Sequence, residues 1–445
     1  MVPVLAGIEG SGLRPGAASS KARLFARAHQ ALGPSDTGPR AAFFVPGRIE
    51  VLGKHTDYCG GRSLLCAAEQ GFCLVAAARG DRQVTVVNAD TGERAALALN
   101  PDLQPVLGHW SNYPATVLRR VARNFPGASA GADIAFASDL PPASGMSSSS
   151  AFMVAVFLSV AAVNGLETAR GYRDAIGGLT DLAGYLGTIE NGQTFGPLAG
   201  DKGVGTFGGS EDHTAMLCCR ASTLSQYRFA PVHFEREVPM PAGHVFAVAF
   251  SGRLAEKTGA ALATYNRASR AAARVLEIWR AASGRPAGTL ESAVTEDDGA
   301  ADAIRAAITV SADAEFGPGL LRQRFDQFVL ESRTIVPGAA DALRDGDLAR
   351  FGALVDRSQQ AVEEWLGNQV PETVWLAREA RRLGAAGASA FGAGFGGSVW
   401  ALVEAACADG FLGQWQRAYE RAHPQAAARA VFFETTAGPA AFRLA

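Results

Sequence analysis

The chain has 445 residues, enough for two or three domains at about 100–200 residues each. It is 48% hydrophobic and 19% charged, which suits a sizeable core and excludes a disordered polymer. Forty-one basic residues against 43 acidic ones leave a net charge of −2, which excludes a general nucleic-acid binder and a polybasic membrane protein.

Residues 1–40 mix glycine, proline and serine with a short helical pattern, KARLFARAHQAL, and read as a surface lead-in. AAFFVPGRIEVLG follows as strand material interrupted at Pro46-Gly47, then CLVAAARG, DRQVTVVNAD and ADIAFASDL as further strands. After residues 145–150, AFMVAVFLSVAAVNGL is apolar on nearly every face, the pattern of a buried helix. NGQTFGPLAGDKGVGTFGGSEDH reads as a loop within a domain, because apolar segments resume directly. From about residue 225 the pattern becomes VFAVAFSG, long Ala/Arg helices, and ASAFGAGFGGSVWALVE, a glycine loop entering a strand. Strands interleaved with helices in two halves predict an α+β protein with a cleft between two domains. The expected division is a lead-in at 1–40, a first domain at 41–225 and a second at 226–445.

No run of about eighteen apolar residues predicts a membrane span. The N-terminal stretch lacks the basic start and apolar block of a signal peptide. Six cysteines without CxxC spacing read as reduced thiols in a cytoplasmic protein, and seven scattered histidines give no zinc spacing.

Three stretches carry candidate chemistry. In DLPPASGMSSSSAFMVAV, small residues at 143–150 let backbone N–H groups approach an anion at a helix N-terminus. The hydroxyls of Ser147, Ser148, Ser149 and Ser150 suit phosphate or a metal ion; an ordinary serine cap is the alternative. GAGFGG at 392–397 satisfies GxGxxG, but it precedes a strand near the C-terminus, so a dinucleotide fold fails on context. PGRIEVLGKHTDYCGG at 46–61 clusters Arg48, Lys54, His55, Asp57 and Tyr58, a density typical of a binding loop. Neither GxxxxGK[ST] nor the HRD and DFG elements occur, which excludes Walker-type and protein-kinase-type phosphate chemistry.

Taken in order, the three stretches resemble the GHMP small-molecule kinases, and galactokinases most closely. Residues 46–61 are similar to the signature beginning PGR and ending HTDYxGG, residues 141–151 to PxGxGLSSSAS, and residues 387–397 to a motif ending GGGFGG. WSNYPATV, TYNRASR and the run from FVLESR to VPE extend the resemblance over roughly residues 43–405. It implies a two-domain α+β fold with the active site in the interdomain cleft. It also implies an ATP- and Mg²⁺-dependent kinase acting on the anomeric hydroxyl of a galactose-like sugar. Residue by residue, it implies phosphate contacts at Ser144, Gly145 and Ser147–Ser150, and Mg²⁺ held by Ser148 and Glu190. Asp212, in GSEDHTAM, takes the place of the GIMDQ aspartate at the reacting hydroxyl, with Arg48 beside it. His55, Asp57 and Tyr265 are implied sugar contacts, and His213 a structural neighbour.

The departures matter as much. Lys54 stands where the signature has a glutamate bonding the sugar's C6 hydroxyl, and Glu50 stands where it has asparagine. Either Lys54 reads a C6 carboxylate, making the substrate a uronic acid, or it pairs with Glu50 and the sugar stays neutral. Ala143 and Ala393 replace motif glycines, and Ser389 replaces a basic residue. FGPLAGDKGVGTFGG inserts roughly ten residues between Glu190 and Asp212, as a specificity loop or a lid. Other readings are a non-catalytic sugar and ATP sensor, and a kinase of mevalonate-like alcohols, which the HTDY signature opposes. The expected partners are the sugar and ATP, with a monomer favoured and no nucleic acid or membrane.

Overall fold

The computed structural model describes residues 7–33, 40–106, 108–255 and 260–444. Strand β1 (Arg40–Leu52) forms an antiparallel hairpin with β2 (Arg62–Ala78), and both are buried along nearly their whole length. Pro46-Gly47 does not end β1. Pro46 has no N–H to give the ladder, and the strand absorbs this as a register shift between Pro46 and Arg48.

Beside β2 lies β5 (Ala132–Ser138), which pairs in parallel with β3 (Gln83–Asn88), and β4 (Arg94–Ala98) completes that edge. Strands β6 (Thr223–Arg228) and β7 (His233–Pro239) extend the sheet from the other half of β2. The second sheet is antiparallel. Its order is β11 (Val431–Thr435), β8 (His244–Phe250), β10 (Ser398–Glu404) and β9 (Gly387–Phe391). A last strand, β12 (Phe442–Leu444), returns to the first sheet and pairs with β1 at Ala42–Phe44.

Two expectations change here. Residues 15–32 are no surface lead-in: helix α1 (Pro15–Leu32) buries Ala18, Ala22, Phe25 and Ala28 against Phe44, Cys73, Val75 and Ala137 of the first sheet. The spacing 18, 22, 25 makes one apolar stripe, and Lys21 at its flank is buried in an ion pair with Asp139. The boundary near residue 225 falls inside β6, so the division between the sheets lies after β7 instead, with 442–444 returning across it.

Helix α2 (Asn112–Asn124) and the uncharged helix α3 (Ser148–Asn164) cover the first sheet's inner face. Because α3 carries no charge on any side, it is buried between β1, β2 and its neighbouring helices. Two further helices, α4 (Leu179–Asn191) and α5 (Glu211–Cys218), bracket the Gly-rich insertion. That insertion is no free lid. Asp201 pairs with buried Arg119 at 2.6 Å and with Arg123 at 3.4 Å, and Asn124 holds the Ala199 carbonyl at 3.1 Å. These contacts fasten it onto α2.

All six cysteines are free thiols, and no helix among the described residues is long and apolar enough to cross a membrane.

Candidate active site

The site is built where three glycine-bearing turns meet. Gly47 brings β1 against the loop before α3: an added Cβ would lie 2.6 Å from Leu140 and 3.1 Å from the Met146 carbonyl. Across that contact Arg48 N–H donates to Met146 O at 3.2 Å. Gly392, at φ +80°, packs on the same loop, where a Cβ would sit 2.7 Å from Gly145 O. Ser398 Oγ donates to Ser144 O at 2.7 Å, tying the third glycine stretch to the second.

Arg48 is 3% exposed and points into this junction. Its Nε donates to Asp212 Oδ1 at 2.7 Å and its Nη1 to Gly145 O at 2.6 Å. Burial works against its charge, but Asp212, Glu50 and Glu211 outweigh burial and hold the guanidinium protonated. Asp212 occupies the first turn of α5, and its other oxygen accepts from Ser150 Oγ at 3.3 Å. The same hydroxyl donates to Glu190 Oε2 at 2.7 Å; Thr206 Oγ1 reaches Glu190 Oε1 at 3.4 Å, and His213 Nε2 lies 3.4 Å from Oε2.

Two openings flank the Arg48–Asp212 pair. One is a cavity of about 590 Å³ lined by Phe72, Trp110, Tyr113, Phe136 and Phe152, with Gly145 and Ser147–Ser149 at its inner end. Trp110, Phe136 and Phe152 stand with ring centroids 4.8–6.4 Å apart. A broad apolar slot ending on hydroxyls and a helix N-terminus suits a nucleotide, with base in the slot and phosphates at the helix. Not all of the expected phosphate contacts lie there. Ser150 is fully buried and turned to Glu190 and Asp212, while Ser144 is 1% exposed behind the loop. The aromatic wall was the larger omission, because its five rings come from β2, β5, α3 and the stretch before and within α2, with no shared spacing.

The other opening is a polar pocket that brings together His55, Asp57, Glu190, Glu211, Asp212 and Tyr265, with Arg48 and Glu50 at its base. His55 is held in the left-handed region at φ 58°. Its Nε2 lies 3.1 Å from the Ala393 carbonyl, which only accepts, so Nε2 carries the proton and Nδ1 accepts from Tyr58 OH at 2.9 Å. Both ring nitrogens are therefore engaged by protein, which orients the ring rather than leaving it a donor for sugar. Asp57 accepts from the amides of Tyr58 at 2.8 Å and Glu211 at 3.2 Å; burial raises its pKa, against these bonds.

Lys54 departs from both expectations. It is 1% exposed and lies away from the pocket, donating to Ser389 Oγ at 2.5 Å and Ser358 Oγ at 3.2 Å. Ser358 passes the contact on to Glu331, donating to its two oxygens at 2.9 and 2.8 Å. Burial pulls the Lys54 pKa down, and Glu331 is the first charge opposing it, ahead of Glu50. Glu50 instead accepts from Gly392 N–H at 3.1 Å and lies 3.8 Å from Arg48; burial pushes its carboxyl up to about 7. The swap therefore moved a cation into the second domain's core and a carboxyl into the pocket. Glu50 and Glu211 are the pocket residues that motif matching passed over.

Mg²⁺ is implied by the resemblance, and the donors fit it. Ser148 at the nucleotide cavity and Glu190 at the pocket are hard oxygen donors on either side of the junction. Among the described residues no cluster of three or more His, Cys, Asp or Glu forms an all-protein cage, so the remaining ligands would be phosphate and water oxygens.

Comparison with known proteins shows the family and the fold. Residues 30–79 match the galactokinase galactose-binding signature, 112–184 the GHMP kinase N-terminal domain, and 339–421 the GHMP kinase C-terminal region. A galactokinase of Roseiflexus sp. (strain RS-1) is 30% identical over 391 residues, covering 86% of this chain and 88% of that protein. One from Actinobacillus pleuropneumoniae is 26% identical over 363 residues, covering 81% and 84%. The crystal structure of Lactococcus lactis galactokinase complexed with galactose shares the fold, with a TM-score of 0.76 at 21% identity over 95% of this chain and 99% of that one. The chain thus belongs to the galactokinase family of GHMP kinases, phosphotransferases of the sugar 1-kinase type.

Proposed function

We propose that the protein transfers the γ-phosphoryl group of ATP to the anomeric hydroxyl of galactose or a closely related neutral sugar. The observation that carries this reading is the pair of buried Arg48 and half-buried Asp212, 2.7 Å apart, lying between the aromatic-walled cavity and the polar pocket. The galactose-binding signature over the pocket loops supports the sugar class.

Phosphoryl transfer needs an in-line nucleophile and distributed positive charge more than covalent catalysis. Asp212 holds the proton of the anomeric hydroxyl, as base or as fixed negative charge. Arg48 pairs with that carboxylate and faces the transferring group. Ser147, Ser148 and Ser149, with the N-terminus of α3, hold the phosphates, and the aromatic wall takes the base. Mg²⁺, held by Ser148 and Glu190, would neutralise phosphate charge. Asp57 and Tyr265 orient the sugar, and His55, fixed by Tyr58 and Ala393, shapes the pocket around it.

The test is ADP release from the purified full chain with MgATP across galactose, galacturonate, glucuronate, arabinose and N-acetylgalactosamine, with the product linkage read by ³¹P and ¹³C NMR. The reading expects galactose 1-phosphate as the best product. Sugar-dependent ATP binding without product would favour a sensor instead.

A further inference from the structure

We infer that Glu50 and Glu211 select the sugar: one carboxyl oxygen of each shares a hydrogen bond with a sugar hydroxyl, and together they exclude sugar acids. This rests on the sugar-kinase reading above. Both residues line the polar pocket, at 3% and 5% exposure. Each has one satisfied oxygen: Glu50 Oε2 takes the Gly392 amide at 3.1 Å, and Glu211 Oε2 takes Ser63 Oγ at 2.7 Å. The Oε1 atoms of both are buried and accept no hydrogen bond from any described residue.

Among the described residues no donor reaches them. Arg48 gives Nε to Asp212 and Nη1 to Gly145 O, and its nearest approaches, 3.8 Å to Glu50 and 3.9 Å to Glu211, are beyond hydrogen-bond range. Lys54 points to Ser358 and Ser389 instead. A buried polar atom without a partner is costly, so the pocket is poised for a ligand that brings hydroxyls, which both donate and accept. A sugar does. A uronate brings a carboxylate, a further acid in a pocket already lined by Asp57, Glu190 and Asp212 beside these two glutamates. Both positions depart from the family signature, asparagine at 50 and the methionine of GIMDQ at 211, so the selection belongs to this chain's own pocket.

The test measures kcat and KM of the full chain with MgATP for galactose, galacturonate and the 2-, 3-, 4- and 6-deoxygalactoses. Wild type is compared with Glu50→Gln and Glu211→Met, and with Glu211→Gln should the methionine variant not fold by circular dichroism. The expected result is a wild type that prefers galactose to galacturonate, and a KM for galactose raised about tenfold in each variant with kcat held within about threefold. One deoxy sugar should cost wild type the same factor yet cost the matching variant nothing further. An unchanged KM in both variants, or a wild type that prefers galacturonate, would overturn the inference while leaving the kinase reading intact. No phosphorylation of any sugar by wild type would overturn the kinase reading itself, and this inference with it.

Discussion

Restoring the family's glutamate at position 54 should unfold this protein rather than retune it. Lys54 Nζ donates to Ser358 and Ser389, and Ser358 donates its hydroxyl to Glu331, which is fully buried and also accepts from the Gly53 amide at 2.8 Å. Lys54→Met keeps the aliphatic stem but removes the cation that reaches Glu331 through Ser358. Stripping one partner from a buried charge pair costs about 3–5 kcal/mol, against a total stability of roughly 5–15 kcal/mol. Lys54→Glu adds a second buried carboxylate competing for one hydroxyl proton, so it should fall further still. The assay is urea unfolding followed by tryptophan fluorescence, with the sugar panel run on the same preparations. The expected order of midpoints is wild type, then methionine, then glutamate. A glutamate variant with the wild-type midpoint and an altered sugar ranking would refute the reasoning and return the Lys54 ammonium to the sugar.

Three further outcomes follow from the geometry. Asp212→Asn should lower kcat by about 10²–10⁴ while the fold survives, because Glu50 and Glu211 stay within 3.9 Å of Arg48; single-turnover ADP formation reads it, and near-wild-type kcat would remove Asp212 from the chemistry. Trp110→Ala should raise KM for ATP about tenfold and leave galactose affinity unchanged by calorimetry, since the ring lines the aromatic-walled cavity and not the polar pocket. Glu50, raised by burial to about 7, holds its proton in the folded state above the pH at which the unfolded chain releases it. Its contribution to stability is complete below about pH 4.5 and is lost as pH rises towards 7, a change of about 3 kcal/mol at most. Glu50→Gln should flatten that decline, as urea midpoints measured from pH 4.5 to 8 would show.

The three motifs were legible because each needs particular residue types in a short window, and the structure brings all three to Arg48. The polarity of the buried helix from 148 was equally plain, since no charge interrupts it. What the sequence hid was direction. A lysine and a glutamate four residues apart can face each other or opposite sides, and the bends at Gly53 and His55 turn Lys54 into the second domain's core. The burial of helix α1 was hidden because its stripe of mostly small alanines resembles a solvated segment until the sheet surface is present. WSNYPATV carried two rings of the aromatic wall, but nothing local joined them to Phe72, Phe136 and Phe152, which come from distant segments.

The pairing of β12 with β1 has a consequence for how the enzyme is made. The strand that delivers Arg48 and Glu50 to the site gains its outer neighbour roughly four hundred residues later in synthesis, a contact of very high sequence separation. During translation the first sheet therefore waits with an open edge at Ala42–Phe44, beside a nearly finished hydrophobic core. A nascent chain stalled inside the second domain presents that edge to other chains, so conditions that slow elongation tax the yield of this protein more than its equilibrium stability indicates. A sheet edge sealed this late also couples the two halves: the sugar-binding strand is completed only when the chain has passed through the second domain and returned.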